Sequence, residues 1–267
     1  MKKNEAICII QARVTSSRLP GKILLQGYDK PLLLHTIERI KKSKLIKKIV
    51  VATSNLKMDE IIYKICKKNR INIFRGHPND LLSRYYNCAK KYKANTIVRI
   101  TSDCPLMDYK IIDKIIKKFY SSNVDFISNT HPPVIPDGFD IEIFNFKSLK
   151  KAFFKAKKNF QREHVTPYIW DNPKKFKIKN YDIFFKKNYY KKYRLTLDYL
   201  EDYFVIWKIY NELYPKKKFF DLKDILLYLK TNNHILINKK YIKVNWYRYH
   251  LKKLKTIRKE DTKIKFL

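Results

Sequence analysis

Short apolar runs alternate along the first half of the chain with stretches whose apolar residues recur at helical spacing. The runs predict buried strands over residues 7–10, 49–53, 71–74, 96–100 and 124–128. The amphipathic stretches predict helices over residues 31–44, 58–68, 81–93 and 111–120. Strands and helices that alternate at this spacing are typical of a doubly wound, mostly parallel sheet. We therefore expect an α/β fold.

The pattern is less regular in the second half of the chain. The proline-rich residues 129–142 predict a loop that ends in an alternating, antiparallel strand, with Asp140 and Glu142 on one face. Beyond it, the pattern predicts a helix over 149–158, strand and loop over 173–193, a short strand over 194–198, a helix from 199 onward and an amphipathic helix over 222–229. Because no repeat or low-complexity linker interrupts the chain, we expect one main domain over 1–215 and a basic extension, 216–267, packed on it.

The loop that follows the first predicted strand is polar and basic. It carries Arg13, Arg18 and Lys22 with hydroxyl side chains between them, and it closes on Pro20-Gly21. In an open α/β sheet, ligands bind in the loops that leave the carboxyl ends of the strands. Cations, hydroxyl groups and a glycine at that place suit a polyphosphate, and a solvated basic loop is the alternative.

Carboxylates and a histidine mark further candidate positions. Asp103 lies just past the predicted strand 96–100, at the same edge of the sheet as the basic loop, where it could hold Mg2+ against a phosphate. A role in a turn or a helix cap is the alternative for Asp103. Residues 136–142 could equally form a surface hairpin, and Glu163-His164 could be a structural pair instead of a metal or acid–base site.

These segments resemble a known family. The family is that of the sugar-activating cytidylyltransferases, among them the CMP-Kdo and CMP-sialate synthetases, and its signature resembles Gln11-Ala12-Arg13-x-x-Ser16-x-Arg18-Leu19-Pro20-Gly21-Lys22. The likeness is greatest to the spore-coat polysaccharide biosynthesis (SpsF-type) branch, which has Gln-Ala-Arg where the CMP-Kdo synthetases have Pro-Ala-Arg. Residues 98–106, 136–142, 162–168 and 195–202 resemble later family segments in the same order, although Ser102 stands where many relatives have Gly.

The resemblance implies a nucleotide-diphospho-sugar transferase (Rossmann-like) fold, with a protruding arm around 129–193 that helps to form a homodimer. It implies nucleotide binding by Gln11, Ala12, Arg13, Ser16, Arg18, Gly21, Lys22, Arg75, Arg84 and Asp103. Among these, Arg13, Lys22 and Asp103 would be catalytic. Asp103 and Asp198 would share one Mg2+. The acceptor would be recognised by Asp137, Asp140, Glu142, Arg162 and His164.

The formal charge of +36 over 267 residues is extreme and would attract anionic partners. Lys is accompanied by abundant Ile, Asn, Tyr and Phe, whose codons are also rich in A and T. We therefore attribute the charge mainly to surface composition and expect no specific nucleic-acid binding. Residues 245–249 interleave aromatic and basic side chains, which suits base stacking or the packing of a C-terminal extension, and we favour packing.

The cysteines and the apolar runs indicate where in the cell the protein is located. Cys8, Cys66, Cys88 and Cys104 are scattered with no Cys-x-x-Cys pair, which argues against a zinc site and a disulfide framework. The first apolar run is too short for a signal peptide. No stretch reaches the roughly 18 uncharged apolar residues that a membrane span needs. We expect a cytoplasmic protein without a transmembrane segment.

With the resemblance, which alone implies CTP as the nucleotide, these features predict a Mg2+-dependent cytidylyltransferase. It would join CTP to a sugar or sugar-like acceptor and release pyrophosphate, for surface polysaccharide or glycan biosynthesis. A sugar-nucleotide-dependent glycosyltransferase is one alternative. Such enzymes usually carry Asp-x-Asp after the fourth strand, and Asp103-Cys104-Pro105 lacks the second Asp. A non-catalytic basic module that binds nucleic acid or membrane is the other alternative, which explains the charge but not Asp103 and Asp198.

Overall fold

Seven strands form one sheet at the centre of the molecule. The computed structural model describes residues 5–130, 133, 135–181, 189–244 and 250–255. The strands are β1 (Ala6–Gln11), β2 (Ile46–Ser54), β3 (Asn72–Gly76), β4 (Thr96–Thr101), β5 (Phe126–Ser128), β6 (Glu142–Asn145) and β7 (Ile178–Asn180). Their order in space is β3-β2-β1-β4-β6-β5-β7. All neighbouring pairs are parallel except those of β6, which runs antiparallel to β4 and β5. The predicted doubly wound, mostly parallel sheet is confirmed.

Helices cover both faces of this sheet. They are α1 (Leu32–Ile40), α2 (Glu60–Lys68), α3 (Leu81–Lys91), α4 (Tyr109–Ser121), α5 (Phe146–Lys155), α6 (Asn159–His164), α7 (Pro167–Trp170), α8 (Leu200–Leu213) and α9 (Leu222–Thr231). One hydrophobic cluster joins α1, α2, α4, α8 and α9 to one face, and a second joins α3, α5 and α7 to the other. Successive residues of β1 alternate between the clusters, so this strand is buried on both sides, as its continuous apolar run predicts.

Two local predictions need correction. Residues 194–198 do not form a strand in the structure, although Arg194 makes an isolated bridge to Asp137. The antiparallel strand near residue 142 exists, but it begins at Glu142, so Asp140 lies in the loop before it. In both places the chain is held by side-chain contacts at the end of the sheet, which a hydrophobic pattern does not reveal.

The arm and the extension are described only in part. Within 129–193, β6, β7 and α5 to α7 belong to the sheet and its helical layers, and residues 182–188 lie outside the described residues. Of the extension, α9 packs on the first cluster through Leu222, Ile225 and Leu229. The aromatic stretch 245–249 and residues 256–267 also lie outside the described part of the chain. Among the described helices, none is both long and apolar enough to cross a bilayer.

Candidate functional site

A cavity of about 460 Å³ opens at the carboxyl ends of β1 and β4. Most of the predicted site residues line it, namely Gln11, Ala12, Arg13, Ser16, Arg18, Lys22, Arg84, Asp103, Asp137, Asp140, Glu142, His164 and Asp198. They come from the end of β1 and the loop after it, from α3, from the loop after β4, from the start of β6 and the segment before it, from α6 and from residues 194–198. The fold therefore brings together residues that are far apart in the sequence, at the edge where open α/β sheets bind their ligands.

Backbone contacts shape the basic loop after β1. Gly21 adopts φ +68, a left-handed conformation that favours glycine, and its N–H donates to the carbonyl of Val14 over 2.9 Å. The buried carboxylate of Asp59 accepts a hydrogen bond from the Val14 N–H over 2.7 Å and also bonds Ser54. Asp59 therefore fixes the loop from the side of β2.

The side chain of Arg13 is exposed on this loop. It makes no hydrogen bond or ion pair with any residue that the structure describes. Ser16 lies beside it on the cavity wall and accepts a long hydrogen bond of 3.4 Å from the Leu19 N–H. A guanidinium group that no described residue engages, next to a hydroxyl group, can bind an anion that enters the cavity.

Lys22 links the two predicted metal ligands. Its buried ammonium group donates to Asp198 Oδ1 over 2.9 Å and to the Leu197 carbonyl over 2.5 Å, and it lies 3.5 Å from Asp103 Oδ2. The backbone of residue 197 also donates to the Asp103 carbonyl over 2.9 Å, which holds the two segments together. The carboxylates of Asp103 and Asp198 thus both lie next to the ammonium group of Lys22, and the shared metal ion stays a prediction.

Further cations surround Asp198. Arg18 Nη2 lies 2.6 Å from one carboxylate oxygen and Arg194 Nη2 lies 3.0 Å from the other. Burial alone would raise the pKa of Asp198, but Lys22 and Arg18 outweigh it and lower that pKa to about 2. Asp198 is therefore ionised at neutral pH.

Arg194 is the main site residue that the sequence pattern does not reveal. It is 2% exposed, and its guanidinium group contacts Asp137 over 3.2 Å, Asp198 over 3.0 Å and Asp202 over 3.0 Å. It also donates to the carbonyl of Val244 over 2.9 Å. Burial favours the neutral form, but the carboxylates win and raise the pKa of Arg194. The only signal in the sequence is its place four residues before Asp198, in a segment where Lys191 and Lys192 are also basic.

Acidic residues cluster on the β6 side of the cavity. Glu142 pairs with Arg99 and accepts a hydrogen bond from Thr166 Oγ1 over 2.9 Å. Burial, together with the neighbouring carboxylates, raises the pKa of Asp140 well above its ordinary value. Burial also raises the pKa of Asp137, to about 6, against the opposing effect of Arg194. We call this side the acceptor end, because Asp137, Asp140, Glu142 and His164 are residues predicted to recognise the acceptor sugar. Its carboxylate oxygens can accept hydrogen bonds.

Two predicted site residues lie outside the cavity and make structural contacts instead. Arg75 does not line the cavity, because its guanidinium group pairs with Glu60 over 2.6 Å and donates to backbone carbonyls after β2. Arg162 is also outside the lining and binds Asp80 over 2.6 Å.

Arg84 lines the cavity, but its donors hold the loop before α3 through the carbonyls of His77, over 2.6 Å, and Pro78, over 2.8 Å. Gln11, also on the lining, accepts a hydrogen bond from Arg99 over 3.2 Å. Both residues therefore support the cavity wall as well as facing the cavity.

Comparison with known proteins gives consistent results. Residues 7–242 match the family model described as cytidylyltransferase. The chain is 41% identical over 221 residues to an uncharacterized protein of Methanocaldococcus jannaschii, covering 82% of this chain and 86% of that protein. It is 30% identical over 214 residues to the spore coat polysaccharide biosynthesis protein SpsF of Bacillus subtilis, covering 78% of this chain and 88% of that protein.

Solved structures extend this likeness to the fold. A cytidylyltransferase from Leptospira borgpetersenii superposes with a TM-score of 0.82 at 38% identity, over 88% of this chain and 97% of that one. A CMP:2-keto-3-deoxy-manno-octonic acid synthetase, solved with CTP, shares the fold at 14% identity with a TM-score of 0.59, over 79% of this chain and 99% of that one.

Proposed function

The chain belongs to the cytidylyltransferase family and is a CTP-dependent nucleotidyltransferase, and from this premise we propose that it activates a sugar or sugar-like acceptor with Mg2+ as cofactor. The observation that carries the proposal is the meeting of Asp103 and Asp198 at Lys22, beneath a loop whose Arg13 has no partner among the described residues. A cation-binding pair and an anion-binding loop in one cavity suit a metal-bound triphosphate.

The basic loop would bind the triphosphate. Arg13 and Ser16 face the cavity from one side, and Arg18 lies on the same wall with an exposed fraction of 43% for its side chain. Guanidinium groups bind phosphate oxygens through paired, charge-assisted hydrogen bonds. Lys22 would act beneath them, since its ammonium group neutralises the carboxylates that would otherwise repel the phosphates.

The donor set at Asp103 and Asp198 fits Mg2+. Within the described ranges, no cluster of three or more acidic, histidine or cysteine side chains could hold a metal by itself. Mg2+ is usually held by one or two carboxylates together with substrate phosphates and water, which matches a two-carboxylate site beside a phosphate loop. Asp103 and Asp198 would therefore hold the ion together with the triphosphate. When bound, it would stabilise the charge that develops as pyrophosphate departs.

The acceptor end would orient the acceptor. Sugar hydroxyl groups donate hydrogen bonds to carboxylates, and Asp137, Asp140 and Glu142 supply them. One acceptor hydroxyl would form a bond to the α-phosphorus of CTP while the bond from that phosphorus to the pyrophosphate oxygen breaks. The proton of the hydroxyl would pass to a carboxylate at this end. Positioning and charge neutralisation would supply most of the rate, as in other phosphoryl transfers.

We also propose a biological setting for this activity. The SpsF relative is named for spore coat polysaccharide biosynthesis, which supports a role in surface polysaccharide or glycan assembly. A cytoplasmic location and a homodimer accord with such a role. A basic nucleic-acid module is disfavoured, because it would not need paired carboxylates in a cavity at the end of the sheet.

The test is pyrophosphate release from each of the four nucleoside triphosphates, with Mg2+ and a panel of neutral, amino and acidic sugars. We expect release from CTP alone among the triphosphates, and only when a suitable sugar is present. Omission of Mg2+ should stop it. Equal release from all four triphosphates, or a sugar nucleotide consumed in place of CTP, would contradict the proposal.

A further inference from the structure

Residues that follow the end of the family match also line the cavity. The match covers residues 7–242, and the Leptospira structure corresponds to 88% of this chain. Nevertheless, Val244 and His250 are among the residues that line the cavity. The wall that they form is therefore built from residues that follow the part of the chain matched by the family model.

Contacts with the folded core hold this wall segment, which we define as residues 244 and 250–255. At its start, the carbonyl of Val244 accepts a hydrogen bond from the buried Arg194. At its end, the N–H of Lys255 donates to Asp171 Oδ1 over 2.9 Å, and Leu254 packs against the hydrophobic cluster of α3, α5 and α7. Two separate anchors thus fix the wall segment against the cavity.

His250 meets the acceptor end directly. Its ring lies edge-on to that of His164, with 4.5 Å between the ring centroids. Burial, together with the neighbouring His250, lowers the pKa of His164 to about 3, and burial also lowers the pKa of His250. Both rings are therefore neutral near pH 7, and a neutral imidazole exchanges hydrogen bonds with hydroxyl groups as donor and acceptor.

We propose that the wall segment completes the acceptor end of the cavity, and that His250 is a specificity-determining residue that contacts the hydroxyl groups of a polyhydroxylated acceptor. This inference rests on the proposed function, since it assumes that the β6 side of the cavity receives the acceptor. It locates acceptor contacts of this protein partly in residues that follow the family match, so residues 7–242 alone would not determine the choice of acceptor.

The position of the wall segment can be tested without any substrate. The four native cysteines are buried, so the double variant His164→Cys/His250→Cys carries two accessible thiols. A short bifunctional thiol reagent should link them within one chain of the folded, full-length protein, as peptide mapping by mass spectrometry would show. Each single variant and the double variant in urea are the controls. No link in the folded protein would overturn the proposal.

The role of His250 is tested by kinetics on the sugar that gives the fastest pyrophosphate release. His250→Ala should raise the KM for that sugar by about two- to tenfold, the effect of one hydrogen bond, while the affinity for CTP changes less than about twofold. Lys252→Ala, an exposed residue of the same segment, should change neither.

The two proposals fail in different ways. An unchanged KM in His250→Ala would overturn the specificity role while CTP-dependent transfer stands. Loss of CTP affinity in His250→Ala would also contradict it, because the residue would then belong to the nucleotide side. If no CTP-dependent release occurs in the unsubstituted protein, the proposed function fails, and the cross-link still decides where the wall segment lies.

Discussion

Replacing Lys22 by Met would remove the charge that joins Asp103 and Asp198 and keep a side chain of similar length. In the structure, the ammonium group is buried and donates to Asp198 over 2.9 Å and to the Leu197 carbonyl over 2.5 Å. Burial alone would lower the pKa of Lys22, but the two carboxylates raise it, so the group is charged at every pH considered below. The substitution would leave the carboxylates of Asp103 and Asp198 close together with less positive charge nearby to offset their repulsion.

The expected loss of stability is moderate. Removing one partner of a buried ion pair costs about 3–5 kcal/mol when the other charge is left alone. Asp198 keeps Arg18 and Arg194, however, so we expect a loss nearer to that of one charged hydrogen bond, about 1.5–3 kcal/mol. The lowered pKa of Asp198 supports this size of loss, because a fall in pKa from 3.8 to about 2 corresponds to a free energy of roughly 2 kcal/mol.

The loss should depend on pH in a defined direction. Because the pKa of Asp198 is lowered in the folded protein, its ionised form contributes stability above pH 3.8, which is lost as the pH falls toward about 2. Lys22 supplies much of this effect. The difference in unfolding free energy between the unsubstituted protein and Lys22→Met should therefore be full at pH 7 and pH 5 and smaller at pH 3.

Urea denaturation followed by circular dichroism at these three pH values measures the difference. Lys44→Met, which removes one exposed lysine, is the matched control and should cost little at any pH. A Lys22→Met variant as stable as the unsubstituted protein at pH 7, or a loss that is equal at pH 7 and pH 3, would refute the reasoning.

Three further outcomes are expected. Asp103→Asn should abolish pyrophosphate release but leave the Tm nearly unchanged, since that side chain is 31% exposed; retained turnover would remove Asp103 from the metal site. Gly138→Ala should lower the free energy of unfolding, measured in urea, by at least about 1–3 kcal/mol. The reason is that φ is +108 at this position and the new Cβ would lie 2.4 Å from the Leu195 backbone. An unchanged free energy would show that this loop relaxes easily. Binding to DNA or RNA, measured by fluorescence anisotropy, should be independent of sequence and weaken steeply with salt, and a sequence-specific complex at physiological salt would contradict the surface interpretation of the charge.

Periodicity predicted the first half of the fold well, for a physical reason. Parallel strands buried on both faces read as apolar runs, and the helices between them bury one stripe each, so β1, β2, β4 and α1 to α4 each leave a clear pattern. Residues 194–198 also alternate, yet they form no strand. Arg194 is instead held by ion pairs with residues that precede it by 57 positions and follow it by 8.

The site residues likewise fall into those that the sequence predicts and those that it does not. The basic loop and Asp103 follow strands directly, so the rule for sheet edges placed them in the cavity. Arg75 and Arg162 have suitable chemistry but point to Glu60 and Asp80 instead, and no local pattern gives the direction of a side chain. Asp59 supports the loop from 45 positions away, and such contacts become visible only in three dimensions.

A structure with CTP and Mg2+ bound tests the central claim most directly. We predict one cation that Asp103 and Asp198 share, directly or through its waters, with the triphosphate against Arg13, Ser16 and Arg18. Replacing Mg2+ with Mn2+ would identify the cation by anomalous scattering. A triphosphate bound away from this loop, or two carboxylates too far apart to share the ion, would contradict the account.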